Sequence, residues 1–278
     1  MAPRPFLLFD DGSNALLLKD GLPASAGQTA YLSPADLPLL HRYLSRHLAT
    51  ISRASALDAA DHAWAIHRAL LHESAEALRS RQHQGGVALV AGVAREAARF
   101  QRGQAGRFPF FDLISDSTYH PATHAVASAL CAAALAAARG HDEATLFNVL
   151  LGGVFANLGK LGLPAEMLAH DGPLDESEWR LMRSHPQHSV TLLRQAGIES
   201  PAVLRGAHWH HEHWDGHGYP DALRGAAIPL EARCIAIGDA YSAITVDRAS
   251  APGAVPPGRC ASCRATAASS IPGCCAPL

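Results

Sequence analysis

The chain opens with two short apolar runs, Phe6–Phe9 and Ala15–Leu18, on either side of the polar segment Asp10–Asn14. Apolar runs parted by Asp, Gly, Ser and Asn predict two short strands around a turn. Ser33-Pro34 then offers a cap and a proline suited to the first helical position, predicting a helix to about Leu48. From Ala56 to Leu78 the apolar positions Ala59, Ala63, Ile66, Leu70, Leu71 and Leu78 recur at helical spacing, with Trp64 expected in the core. Gly85-Gly86 interrupts that pattern, and Val87–Phe100 predicts another helix. Residues 1–105 are expected to form an accessory α+β region. Gln101–Pro109, with Gly103, Gly106 and Pro109, has the composition of a linker.

From Phe110 the pattern is almost wholly helical. Helices are expected at Pro121–Arg139, Ala144–Leu158, Asp175–Arg183, His188–Ala196, Ala202–His211 and Pro229–Ile244. No internal repeat is visible. The fold class expected is therefore mostly α: a helical bundle over residues 106–248 behind a small α+β region. The tail from Ser250 is rich in Ala, Pro, Gly, Ser and Cys without periodicity, and is expected to be disordered.

Composition narrows the function classes. With 278 residues and 48% hydrophobic positions the chain can bury a real core. A net charge of −2 and a pI near 6.8 create no overall field that would gather nucleic-acid polymers or an acidic membrane. Any anionic ligand must be held locally. Lys19 and Lys160 are the only lysines, so the many Ala and Arg residues reflect coding bias more than function. Met1–Asp10 has a four-residue apolar run before two acids, unlike a secretory signal, and Val126–Ala138 is short for a bilayer span. The expectation is a cytoplasmic protein without membrane insertion, with Cys131 and Cys234 as buried thiols.

Histidine carries the chemistry. Eleven of the 17 histidines lie between His120 and His217, and a neutral imidazole is the commonest transition-metal ligand. The densest segment is His210-His211-Glu212-His213-Trp214-Asp215-Gly216-His217-Gly218-Tyr219-Pro220. Four further pieces accompany it: Tyr119-His120-Pro121-Ala122-Thr123-His124; Phe155-Ala156-Asn157-Leu158-Gly159-Lys160 through Pro164; Leu174-Asp175-Glu176-Ser177-Glu178-Trp179 with His185-Pro186; and Gly238-Asp239 through Ser242 to Arg248. Together, over about residues 110–248, they resemble the HD-GYP family of metal-dependent phosphohydrolases that open cyclic di-GMP.

The resemblance implies an all-α bundle in which His124, His185, His210, His211 and Asp239 are metal ligands. Lys160 would serve catalysis and contact phosphate; Arg248, Gly218, Tyr219 and Pro220 would also lie against substrate. His120 stands where some relatives place an extra carboxylate ligand, but Pro121 predicts that it sits at the helix start, outside the metal set. His208, His213 and His217 are expected at a polar rim. Two positions depart from the family. Ala156-Asn157 occupy the place of its His-Asp pair, and Ser242 that of a second Asp.

The departures predict damage. Two divalent ions about 3.5–4 Å apart repel by roughly 18 kcal/mol at an effective dielectric of about 20, and a bridging carboxylate offsets that. Asn157 removes the bridging charge and Ala156 removes a ligand. His185, His210 and His211 can still hold one ion. The expectation is one divalent transition metal per chain at most, Fe or Mn.

Two functions stay open beside a nonfunctional fragment. One is a catalytically impaired sensor or docking module for a cyclic dinucleotide, engaging cyclic di-GMP through Lys160 and Arg248. The resemblance implies docking of such a module onto diguanylate cyclase-type partners through the Gly-Tyr-Pro turn. The other is a weak cyclic di-GMP phosphodiesterase running on a single metal. In the tail, Cys260-Ala261-Ser262-Cys263 has zinc spacing but no helix or strand pattern around it. A reading-frame shift near residue 249, leaving residues 249–278 foreign to the family, is the expectation there.

Overall fold

The computed structural model describes residues 8–10, 15–17, 37–54, 57–79, 83–104, 107–115, 120–169 and 173–245. Strands β1 (Leu8–Asp10) and β2 (Ala15–Leu17) pair antiparallel with Phe9 opposite Leu16, as the apolar–polar–apolar pattern requires. Helices α1 (Leu37–Ile51), α2 (Ala59–Arg79) and α3 (His83–Arg102) follow. Then come a short α4 (Phe111–Ser115), the long α5 (Pro121–Ala138) and α6 (Glu143–Phe155). A 3-10 turn at Leu158–Gly162 leads to α7 (Ala165–Ala169), α8 (Glu176–Met182), α9 (His185–Gln195), α10 (Pro201–Trp209) and α11 (Leu230–Thr245). The proposed cap at Ser33-Pro34, the tail cysteines and Arg248 lie outside the described residues.

Helix α5 is the axis of the bundle. It packs against α6 on one side and α11 on the other, while α10 closes over α6 and α11. Its sequence explains this: small residues such as Ala125, Ala129, Ala132, Ala133 and Ala136 are buried around almost the whole circumference, so neighbouring backbones can approach closely. Pro121–Ala138 and Glu143–Gly162 are long and apolar enough to cross a membrane, yet 67% and 61% of these segments are buried inside the bundle. That is the behaviour of central core helices.

One continuous core joins the two ends of the described chain. Leu44, Ile51, Ile66 and Leu70 from α1 and α2 belong to the same buried cluster as Leu130, Leu150, Phe155, Leu193 and Ile235. The segment with linker composition is part of this packing. Gln101 donates its side-chain amide to the Arg107 carbonyl at 2.7 Å, and Phe110 is fully buried edge-on to Phe100 at 5.8 Å. Trp64 packs partly buried against the core. Cys131 and Cys234 are buried free thiols, and burial pushes the former up to about 12.

Three local expectations shift. Gly85-Gly86 does not break a helix: α3 runs through it, and a side chain at Gly86 would strike Ala77 Cβ at 2.9 Å, so the glycine permits a close crossing of α2 and α3. Helix α6 stops at Phe155 instead of Leu158, because the chain tightens into the 3-10 turn. Helix α9 begins at His185, three residues before the predicted start, since Pro186 in the first turn needs no amide donor. This places His185 on a rigid helical turn.

Candidate metal centre

Five of the residues singled out from sequence converge between α5, the 3-10 turn, α9, α10 and α11. His185 is fully buried in the first turn of α9, and His210 caps the C-terminus of α10 with 1% exposure. Their outward nitrogens are already engaged: Nδ1 of His185 lies 2.7 Å from the Met182 carbonyl and Nδ1 of His210 lies 2.8 Å from the Ala207 carbonyl. A carbonyl only accepts, so each Nδ1 carries the proton and each Nε2 presents a lone pair. The two Nε2 atoms approach to 3.4 Å. Neither can donate to the other, which leaves a gap suited to a cation. His211 completes the group: its Nε2 is buried without a hydrogen-bond partner among the described residues, and one ligand atom from each of the three rings lies within 4.8 Å of the others.

Charge state supports the same reading. Burial above all, with the charges of His210 and Lys160, lowers His185 to about 3. Burial lowers His210 to about 4 and holds His211 well below the usual imidazole range. The three rings are therefore neutral near pH 7, the form that ligates metal. The donor set, the fixed tautomers and the orphaned nitrogen fit one divalent transition ion.

The adjoining corner is built differently. His124, in the first turn of α5, is buried between two residues of α11 one turn apart. Its Nε2 lies 3.1 Å from Asp239 Oδ1 and its Nδ1 lies 2.9 Å from Ser242 Oγ. The simplest proton arrangement has Nε2–H donating to the carboxylate and the serine hydroxyl donating to Nδ1. This order resembles a Ser-His-Asp relay, but Ser242 is fully buried and cannot meet a substrate. Asn157 donates its amide to the same Asp239 oxygen at 3.1 Å, and its own Oδ1 has no hydrogen-bond partner among the described residues. Burial would raise the Asp239 carboxyl. The hydrogen bond and charge of His124, with the charges of His211 and His210, outweigh it and hold the group well below the ordinary carboxylate range. Ala156 contributes no donor.

The turn that carries Ala156, Asn157 and Lys160 is locked to α9. Ser189 Oγ accepts from the Gly159 amide and donates to the Ala156 carbonyl, both at 2.7 Å. Any side chain at Gly159 would collide with the His185 carbonyl and the Ser189 amide, so the turn lies directly on the helix that holds His185. Lys160 is half-buried in this turn, and its charge is felt by all three histidines of the cluster.

The Gly-Tyr-Pro loop forms one wall. Tyr219 stacks on His211 with centroids 4.8 Å apart and an interplanar angle of 24°, and a cis peptide bond joins Tyr219 to Pro220. Burial raises the Tyr219 phenol above its usual value, so it stays neutral. Glu212 organises the loop: its carboxylate accepts from the Asp221 amide at 2.7 Å and the Leu223 amide at 2.9 Å. Gly218 passes so close to the Glu212 and His213 backbone that no side chain fits there.

His120 lies outside the site. Its Nδ1 caps α5 by accepting from the Ala122 amide at 3.2 Å. His217 is 85% exposed beside Asp215, and His208 faces Asp221 at 3.5 Å, both away from the cluster's hydrogen bonds. Sequence reasoning assigned no role to Ser189, Glu212 or Arg183. Ser189 stands four residues after His185, a helical spacing that could have flagged it. Glu212 sits inside the densest motif, and its role emerged only from the loop geometry.

A bundle with buried histidines from α5, α9 and the end of α10 and an Asp on the closing helix defines a class. A family profile described as "HD domain" matches residues 110–270, more than half of the chain, and the protein belongs to that family. The match runs past Arg248, where the motif reading ended. Among relatives, a cyclic di-GMP phosphodiesterase from Pseudomonas aeruginosa is 34% identical over 138 residues, covering 49% of this chain and 33% of that one. The cyclic di-GMP phosphodiesterase response regulator RpfG from Xanthomonas campestris pv. campestris is 41% identical over 91 residues, 32% of this chain and 24% of its own. The 3'3'-cGAMP-specific phosphodiesterase 1 from Vibrio cholerae is 42% identical over 98 residues, 35% and 22% of the two chains. The chain spans about a quarter to a third of the first two relatives' length and less of the third. An HDG"Y"P protein from Bdellovibrio bacteriovorus shares the fold, with a TM-score of 0.61 at 17% identity over 77% of this chain and 71% of that one.

Proposed function

We infer that this chain is a cyclic-dinucleotide-binding protein derived from a metal-dependent phosphodiesterase, with catalysis impaired at one half of its metal centre. One observation carries the inference: the cluster of His185, His210 and His211 stands beside an Asp239 that is hydrogen-bonded to His124 and to the amide of Asn157. The relatives named above, described as cyclic di-GMP and 3'3'-cGAMP phosphodiesterases, supply the substrate class.

His185, His210 and His211 would hold a single divalent ion, Fe or Mn by analogy with the family resemblance. When bound, such an ion supplies Lewis-acid activation of a phosphodiester and of the attacking water. Lys160 contributes a fixed positive charge beside the cluster for a phosphate oxygen. Tyr219 walls the site and keeps His211 oriented. Asp239 and His124 hold each other in place, while the neutral amide of Asn157 cannot balance a second ion. Arg248 is proposed as a further phosphate contact. Docking onto a diguanylate cyclase-type partner through the Gly-Tyr-Pro loop is a further role for the same module.

A second reading is a slow phosphodiesterase using that single ion. The buried, neutral three-histidine cluster favours it, because such a set can hold a catalytic ion with a position left open. Incubating Mn- or Fe-loaded protein with cyclic di-GMP separates the two. Binding without linear product supports the impaired module, linear product supports the slow enzyme, and no binding refutes both. Elemental analysis should give about one ion per chain or fewer; two tightly held ions would refute the half-site argument.

A further inference from the structure

Between the cluster and solvent runs a ladder of flat side chains that carries the site outward from one of the ligand histidines. It starts at His211, stacked on Tyr219. The Arg183 guanidinium carbon lies 5.9 Å from the Tyr219 ring centre and 5.8 Å from the Trp179 ring centre. Trp179 itself is 46% exposed. Trp179 and Arg183 are four residues apart across the end of α8, so helical geometry puts them on one face. Met182, between them, accepts from His185, which ties the end of this helix to the cluster.

We propose that Trp179 and Arg183 form the base-recognition platform of this site, with Trp179 stacking on a purine of the bound cyclic dinucleotide and Arg183 reading that purine's edge. The proposal rests on the cyclic-dinucleotide reading above and adds the residues that would recognise the base. An exposed indole offers a broad π-face, and base–aromatic stacking tolerates any purine. The guanidinium is planar and always charged, with paired donors that match the O6 and N7 acceptors of guanine. Its contact with both rings pre-orients it at low entropic cost. Lys160 then has the phosphate as its natural partner, and the two cations divide the ligand between them.

The test uses the full-length, Mn-loaded protein and three titrations: cyclic di-GMP, the base-free competitor inorganic phosphate, and metal content by elemental analysis. Trp179→Ala should weaken cyclic di-GMP binding roughly 5- to 150-fold, the span expected of one base–aromatic stack. It should leave phosphate binding and metal content unchanged. Trp179→Phe should restore most of the affinity. Tryptophan fluorescence should respond to cyclic di-GMP in the unaltered protein and lose most of that response in Trp179→Phe, although three other tryptophans remain. Arg183→Ala should narrow the preference for guanine over adenine cyclic dinucleotides. Unchanged cyclic di-GMP affinity in Trp179→Ala overturns the platform alone. Equal loss of phosphate binding overturns base recognition, since the cluster itself would then be disturbed. Failure of the unaltered protein to bind any cyclic dinucleotide overturns both the platform and the functional reading beneath it.

Discussion

The two halves of the candidate metal centre sit side by side and are held by opposite means. Around His185 and His210, main-chain carbonyls fix the outer nitrogens and the inner nitrogens face each other, while Nε2 of His211 has no hydrogen-bond partner among the described residues. Around Asp239, the ligand-type groups satisfy each other through His124, Ser242 and Asn157. The first half is a set of acceptors lacking a donor, so it gains from a cation. The second is a closed hydrogen-bond circuit that a cation would have to break open.

The sharpest way to break this contrast is to restore the missing pair. Ala156→His with Asn157→Asp should raise metal content toward two ions per chain and raise cyclic di-GMP hydrolysis by about a thousandfold or more, which corresponds to roughly 4 kcal/mol of barrier. Elemental analysis and a product assay check it. Either change alone should do far less, because ligands of one ion act as a unit. Unchanged metal content in the double variant would show that this turn does not face the ligand set. The mirror experiment is His210→Ala, which should weaken metal binding by on the order of a hundredfold or more, above the cost usual for outer partners of a ligand. His124→Ala should change that affinity much less.

Acid separates the halves in the chelated protein. The cluster histidines are neutral when folded, His185 at about 3 and His210 at about 4, against an ordinary value near 6.5 for the unfolded chain. The unfolded chain therefore binds the extra protons as pH falls. Their contribution is complete above about pH 6.5 and shrinks below it, by roughly 2.5 kcal/mol per histidine at about pH 4.5. Asp239 has the same sign but acts in a lower pH window. Its folded value is depressed, so its contribution persists at these pH values and is lost only below the usual carboxylate range. Denaturant melts from about pH 7 to 4.5 should show a decline that His185→Gln reduces and Asp239→Asn does not. The smallest effect belongs to Ser242→Ala, which removes one buried hydrogen bond to His124 and should cost about 1 kcal/mol of stability. Metal affinity of the histidine cluster should stay the same.

Much of this architecture was legible as pattern. The long helices were legible from their apolar period, while the structure adds caps that the pattern reading did not name: Asp142, which accepts from the Thr145 amide at 2.9 Å, and Asp175, which forms a reciprocal box with Glu178. The cluster histidines were found because they occur in a dense motif. What stayed hidden depended on contacts across the chain. No sequence rule says that Asn157 turns its amide onto Asp239, 82 residues away, or that Ser242 packs as a buried partner of His124. The shift of α9 to His185 was missed because a proline at the second position reads as a break unless its first-turn role is weighed. The paired glycines inside α3 were misjudged for a similar reason: the crossing with Ala77 that needs Gly86 is a tertiary fact.

The lack of room at Gly159 has a consequence for how this protein can drift. In a library carrying every residue at every position, column 159 should be nearly blank, since the smallest side chain already meets the His185 carbonyl. Column 157, two places earlier, should accept more occupants, since Asn157 is only half-buried. Tolerance would then map the frame and the chemistry separately, with the intolerant glycine marking the place where a working centre could most readily be rebuilt.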